Sequence, residues 1–299
     1  MVANDRHKKT RGMVMRLVNT CSVIAVLILL NNVPQAKAQE LPLEINAGTI
    51  TYYPPFSFKD PATGKITGFA YDLFEHMAKK VGVTVNWREF HFNDLVSFAP
   101  LKTKRVDIYA MGGMTDTPER RESGVSFIDF VYEPYMFFTI SKNAKEFEDL
   151  QNLCGKPVGW TVTSAFTEVL INKWSEENCV KSGKSPIVLV GAADSPQEKL
   201  MLNQGRIAAA VAGVAPLAYG NRMHGEAFVT LGKPLNKNMY GMAFSNENPK
   251  LGEVFKSALD ELIADGTYVK LLKEWGLPIQ ESSIGERSSI NAGWSLPNK

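Results

Sequence analysis

The sequence predicts an α/β protein of two lobes, each a mostly parallel sheet flanked by helices. Apolar runs of strand length alternate with stretches of helical periodicity, in the order strand, helix, strand, helix, strand, which builds parallel sheet. That order occurs twice, before and after about residue 140. The residues that follow a removable leader are also numerous enough for two modest domains.

The first strand is expected over residues 43–50, with a break at Tyr53-Pro54-Pro55-Phe56. A helix starts near Ala70 and sets Tyr71, Phe74, Ala78 and Val81 on one face. Strands follow at 83–90 and 106–110, with a helical stretch near 94–101 between them, and the segment 133–139 joins the lobes. The second lobe reads as strand 158–160, helix 164–177, strand 187–190, helix 196–204 and strand 208–211. Asp194 or Ser195 caps the helix at Pro196, where proline's missing N–H costs nothing. Late in the chain, 241–244 reads as a strand. The stretch 251–265 reads as an amphipathic helix with Leu251, Val254, Phe255, Ala258, Leu259 and Leu262 inward, stopped at Asp265-Gly266. The tail after Pro278 is rich in Ser, Asn, Gly and charge and is expected to be loosely ordered.

Residues 1–38 read as a secretory signal peptide. Arg6, Lys8, Lys9, Arg11 and Arg16 precede an apolar run over 23–30, and Ala36-Lys37-Ala38 closes it. The apolar run is too short for a settled membrane span. Cys21 stands ahead of it, the wrong place for a lipid-modified cysteine. Removing 1–38, with six Lys/Arg and one Asp/Glu, moves the formal charge from +2 to −3. The basicity belongs to the leader, and with no basic patch in the remainder nucleic acid is not expected as a partner. The expected product is a freely diffusing periplasmic monomer. Export also places Cys154 and Cys179 where disulfides persist, so they are expected to pair, for a gain on the order of 3 kcal/mol. His7, His76, His91 and His224 show no metal-ligand spacing and Gly112-Gly113 is no phosphate loop, so neither metal nor cofactor is expected. No catalytic constellation can be assembled.

Four stretches stand in a telling order: Tyr53-Pro54-Pro55-Phe56-Ser57-Phe58, Gly64-Lys65-Ile66-Thr67-Gly68-Phe69-Ala70-Tyr71-Asp72-Leu73, Met111-Gly112-Gly113-Met114-Thr115-Asp116-Thr117-Pro118-Glu119-Arg120 and Ile263-Ala264-Asp265-Gly266-Thr267-Tyr268. Over about 43–278 the chain resembles the amino-acid-type (type II, family 3) periplasmic binding proteins that serve ABC importers. The resemblance implies the type II two-lobed fold with the ligand cleft between lobes. Lobe 1 is then 39–134 plus 243–278, lobe 2 is 135–242, and 279–299 is a C-terminal tail. It further implies a receptor that closes on an amino acid or related small carboxylate and delivers it to a membrane permease.

Arg120 opens a helix just after the strand 106–110, where a guanidinium can grip a carboxylate bidentately; the alternative is an ordinary surface arginine such as its neighbour Arg121. The resemblance gives Arg120 the ligand's carboxylate, with help from Thr115 in the Gly113-containing loop. Tyr53 and Phe56 stand where relatives present an aromatic face, with core packing as the alternative. In lobe 2, Thr163-Ser164 replaces the relatives' Gly-Thr or Gly-Ser at a helix N-terminus, and Trp160 either walls the pocket or packs in the core. Gly213 stands where relatives commonly carry an aspartate for the ligand's ammonium, and Ile50 where receptors for basic amino acids carry an acid. The ammonium end of an amino-acid pocket is therefore unaccounted for. The rival reading is an exported enzyme on the same fold, similar to cyclohexadienyl dehydratases, with Glu168 as its acid or base.

Overall fold

In the computed structural model the described residues are 42–162, 164–225 and 227–293. The leader and Thr163 lie outside them.

Strand β1 (Glu44–Thr49) runs into a small antiparallel sheet of β2 (Tyr52–Tyr53), β3 (Ser57–Lys59) and β4 (Ile66–Thr67), where sequence reading gave only a break. Helix α1 (Phe69–Val81) follows. Its buried stripe is Phe69, Ala70, Leu73, Phe74, Met77 and Ala78, so Tyr71 and Val81 of the expected face sit at its margin. Then come β5 (Thr84–Glu89), two single turns α2 (Phe92–Leu95) and α3 (Ala99–Lys102), β6 (Ile108–Tyr109) and the single turn α4 (Pro118–Arg121). Phe98, with a left-handed φ of 56°, splits what sequence reading joined as one helical stretch.

β7 (Val125–Ile140) is one continuous strand of 16 residues. After it come β8 (Pro157–Thr161), α5 (Ala165–Asn178), β9 (Val188–Ala192), α6 (Ser195–Asn203), β10 (Ala209–Gly213) and α7 (Val214–His224). Asp194 does cap α6, accepting from the Gln197 N–H at 2.9 Å. The Cys154–Cys179 bridge ties the turn before β8 to the end of α5, with Cα atoms 5.5 Å apart. β11 (Phe228–Ser245) then returns over 18 residues, far beyond the expected 241–244. Helices α8 (Pro249–Ala264) and α9 (Thr267–Glu274) follow, and α8 buries Leu251, Phe255, Ala258, Leu259 and Leu262 as its periodicity predicts.

One mixed sheet runs β5-β1-β6-β11-β7-β10-β8-β9. Its two ends are parallel triplets, β5/β1/β6 and β10/β8/β9, and the long antiparallel pair β7/β11 crosses between them. One apolar cluster, including Phe98, Met111 and Phe127, packs beside the first triplet. The second triplet is covered on both faces, since β7 alternation sends Phe137 to one cluster and Phe138 to another.

The tail is not loose over 279–293. It forms α10 (Ile279–Ser282) and β12 (Ser289–Ile290), and β12 pairs with β7 at Ile128 and Asp129. Buried acids hold it: Asp129 accepts from Ser289 Oγ (3.0 Å) and Ala292 N (2.8 Å), and Asp116 accepts from Gly293 N (2.8 Å).

Candidate functional site

The loop leaving β6 is shaped by local chemistry. Gly113 has φ 82°, which a side chain would strain, and Thr117 Oγ1 accepts the Arg120 N–H at 3.3 Å to open the Pro118 turn. The loop is also stitched to β11, with Asp116 N donating to Met239 O and Gly241 N to Met114 O, both at 2.9 Å. Arg120 Nη1 donates to Thr115 O at 2.7 Å, which fixes the guanidinium; Thr115 thus contributes its carbonyl here, while its own N–H turns to Gly113 O.

The two adjacent arginines differ sharply. Arg121 makes a double bond to Asp116, with both contacts at 2.6 Å, and donates to Gly293 O at 2.9 Å. Arg120 has no carboxylate of the described residues within ion-pair distance. Burial pulls its pKa down, opposed by the nearby Tyr135 and Tyr240, but a guanidinium stays charged.

Beside Arg120 three tyrosines from three elements meet at their hydroxyls. Tyr240 Oη of β11 lies 3.1 Å from Tyr53 Oη of β2 and 2.9 Å from Tyr135 Oη of β7. Burial pushes all three phenols up. Phe56 is fully buried beneath them, stacked on Tyr53 with centroids 5.7 Å apart and edge-on to Tyr240 at 5.4 Å. Strand alternation sets Glu133 on the same face as Tyr135 and, across to β11, as its partner Asn238 and as Tyr240. Its side chain is fully buried. Oε1 accepts the Ala215 N–H at 2.8 Å, and the Val214 N–H also bonds the carboxylate, so it crowns the N-terminus of α7. Oε2 has no partner among the described residues, and burial raises the carboxyl to about 8.

The profile of the bacterial extracellular solute-binding proteins, family 3, matches residues 45–278. This chain belongs to that family. Among similar proteins, a probable histidine-binding protein of Campylobacter jejuni is 30% identical over 240 residues, 79% of this chain and 86% of that one. The lysine/arginine/ornithine-binding periplasmic protein of Escherichia coli K12 is 27% identical over 262 residues, 85% of this chain and 96% of that one. A solved ancestral arginine-binding protein bound to arginine superposes with a TM-score of 0.65 at 28% identity, covering 78% of this chain and 98% of that one.

In this solute-binding protein Tyr53, Phe56, Gly113, Thr115 and Arg120 come together as one cluster. Gly213 joins them through Glu133. A Cβ built on Gly213 would lie 2.5 Å from Glu133 Oε1, so the space where the resemblance implies an aspartate is filled by a carboxylate from another strand. The other two residues stand apart from the direct contacts. Trp160 is half-buried against the apolar cluster of the second triplet. Ser164 Oγ lies 2.6 Å from Thr167 Oγ1 at the start of α5, whose Phe166 ring faces Tyr135 at 6.0 Å. Glu168 is half-buried in the first turn of α5. Two surface hollows, of about 420 and 470 Å³, lie on outer faces of the protein and include none of the cluster.

Sequence reading missed Glu133, Tyr135 and Tyr240. The available signal was an acid inside the apolar run 125–140, in the very segment expected to join the lobes.

Proposed function

We propose that this solute-binding protein is the extracytoplasmic receptor of an ABC importer, closing its lobes on an amino acid or related small carboxylate. Lobe 1 is 39–134 plus 243–278 and lobe 2 is 135–242, moving about the crossing strands β7 and β11. The leader exports the chain to the periplasm, where it works as a monomer and hands its ligand to a membrane permease without turning it over. Separate apolar clusters beside the two parallel triplets support the lobe division. The names of its relatives support the ligand class.

The observation that carries the ligand assignment is Arg120. A partly buried guanidinium anchored by one carbonyl and left without a described acid, beside three convergent hydroxyls, is arranged for a carboxylate from outside the chain. Calorimetric titration with the twenty standard L-amino acids tests it. At least one should bind, and Arg120→Ala should weaken that binding by about 100-fold or more. Unaltered affinity in the variant removes Arg120 from the site. Dehydration of prephenate or arogenate by the purified protein would put the enzyme reading in its place.

A further inference from the structure

The face that β7 and β11 share with the tyrosine cluster holds a buried acid that the carboxylate reading leaves unexplained. Glu133 is fully buried, yet no cation of the described residues lies within ion-pair distance of it. A carboxylate without a partner in such surroundings is costly, so the protein either neutralises it or brings a cation to it. Capping α7 accounts for one oxygen only. Oε1 serves that helix's N–H groups, and a neutral glutamine could do the same, while Oε2 is buried with nothing to accept. Across the strand pair, Asn238 is equally buried and its Nδ2 is likewise without a partner, although the two residues are directly opposite. Their unmet donor and acceptor do not satisfy each other.

Gly213 shows that the arrangement is specific in space. A Cβ there would fall 2.5 Å from Oε1 and 2.9 Å from Cγ of Glu133, so the end of β10 admits this carboxylate only because it carries glycine. Glu133 shares a strand face with Tyr135 and Tyr240, Arg120 is bonded to Thr115, whose backbone bridges to Tyr240, and Glu133 and Arg120 make no ion pair with one another. A partly buried cation without a described carboxylate and a buried acid without a described cation, around one set of hydroxyls, match a ligand that carries both charges.

We propose that Glu133 takes the ligand's ammonium nitrogen on Oε2 while Arg120 holds its carboxylate. This rests on the receptor reading above and makes that receptor specific for zwitterions over plain carboxylates. The acid comes from the crossing strand and not from the end of β10, which is why Gly213 carries no side chain of its own. The titratable groups facing Glu133 are Tyr53, Tyr135 and Tyr240, all held protonated by burial.

Titration of the wild type, Glu133→Gln and Arg120→Ala separates the two layers. The probes are the twenty standard L-amino acids and, for each that binds, the counterpart with hydrogen in place of the α-ammonium group. Glu133→Gln keeps the bonds to α7 and removes the charge. It should weaken the amino acid by about 100-fold while changing the deaminated counterpart by no more than about 3-fold, and Arg120→Ala should lose both. Amino-acid affinity retained in Glu133→Gln but lost in Arg120→Ala overturns this inference and leaves the receptor. A wild type that binds none of the twenty overturns both. If Glu133→Gln does not melt cooperatively, Glu133→Asp replaces it. The shorter acid should cut the preference for the amino acid over its deaminated counterpart by about 10-fold or more, and an undiminished preference overturns the assignment.

Discussion

Two polar clusters flank the crossing strand β7, and they differ in how their arginines are met. At the tail anchor Arg121 is hydrogen-bonded twice to Asp116, and Asp116 and Asp129 accept from residues 289–293, although Asp129 Oδ1 keeps no partner among the described residues. At the candidate site Arg120 bonds a carbonyl and no described carboxylate, and Glu133 Oε2 keeps no partner among the described residues. The paired arginine holds the tail to the core, whereas the one without a described carboxylate is proposed to meet a ligand. Arg120 and Arg121 are adjacent in sequence, so residue type alone does not separate them. The difference lies in what the chain folds back to meet them.

That contrast is broken most forcefully at Arg121. Arg121→Ala leaves the fully buried Asp116 without its cation, and chemical denaturation should show a loss of about 3 kcal/mol with ligand affinity unchanged. A variant that melts like the wild type would show the anchor to be ornamental. Replacing Cys154 and Cys179 by serine should cost a similar amount, about 3 kcal/mol, again without touching binding. The native protein should accordingly resist thiol labelling until reduced.

The fold was legible wherever short-range pattern decides it. Helix α8 announces itself by spacing, and α6 by Asp194 and Pro196. Three parts were not legible. β7 is buried on both faces along most of its length, so it lacks the alternation that marks a half-buried strand, and β11 passes through the exposed Gly232, Lys233 and Pro234 before its buried half begins. α7 contains Pro216 and Gly220, and its first turn is held by Glu133, 82 residues upstream. The tail reads as loose because it is polar, but Ser289, Ala292 and Gly293 supply the donors that buried Asp129 and Asp116 require. The site divides in the same way. The proposed role of Arg120 follows from a local cap and turn, while that of Glu133 rests on contacts that sequence spacing does not encode.

Titration sharpens the comparison further. Burial pushes Glu198 up to about 8, and burial with the neighbouring Asp116 charge pushes Asp129 upward. A carboxyl whose folded pKa is raised binds its proton more tightly folded than unfolded. Its contribution to stability is therefore full below about pH 4 and is lost as pH rises through its folded pKa. Glu198→Gln should match the wild type near pH 5 and exceed it near pH 8 by on the order of 1 to 3 kcal/mol, as read by melting at both pH values. Equal differences at the two pH values would mean that Glu198 does not titrate in that window. The smallest effect belongs to Asn291, whose Oδ1 accepts the Phe127 N–H at 2.9 Å. Asn291→Ala should cost about 1 kcal/mol and leave binding alone.

The most direct test titrates one bound amino acid into Arg120→Ala and Arg121→Ala side by side, with the melting of each recorded. The cleft account predicts that Arg120→Ala loses the ligand by about 100-fold and melts near the wild type, while Arg121→Ala keeps the ligand and melts lower. Retained binding in Arg120→Ala, or loss confined to Arg121→Ala, would contradict it.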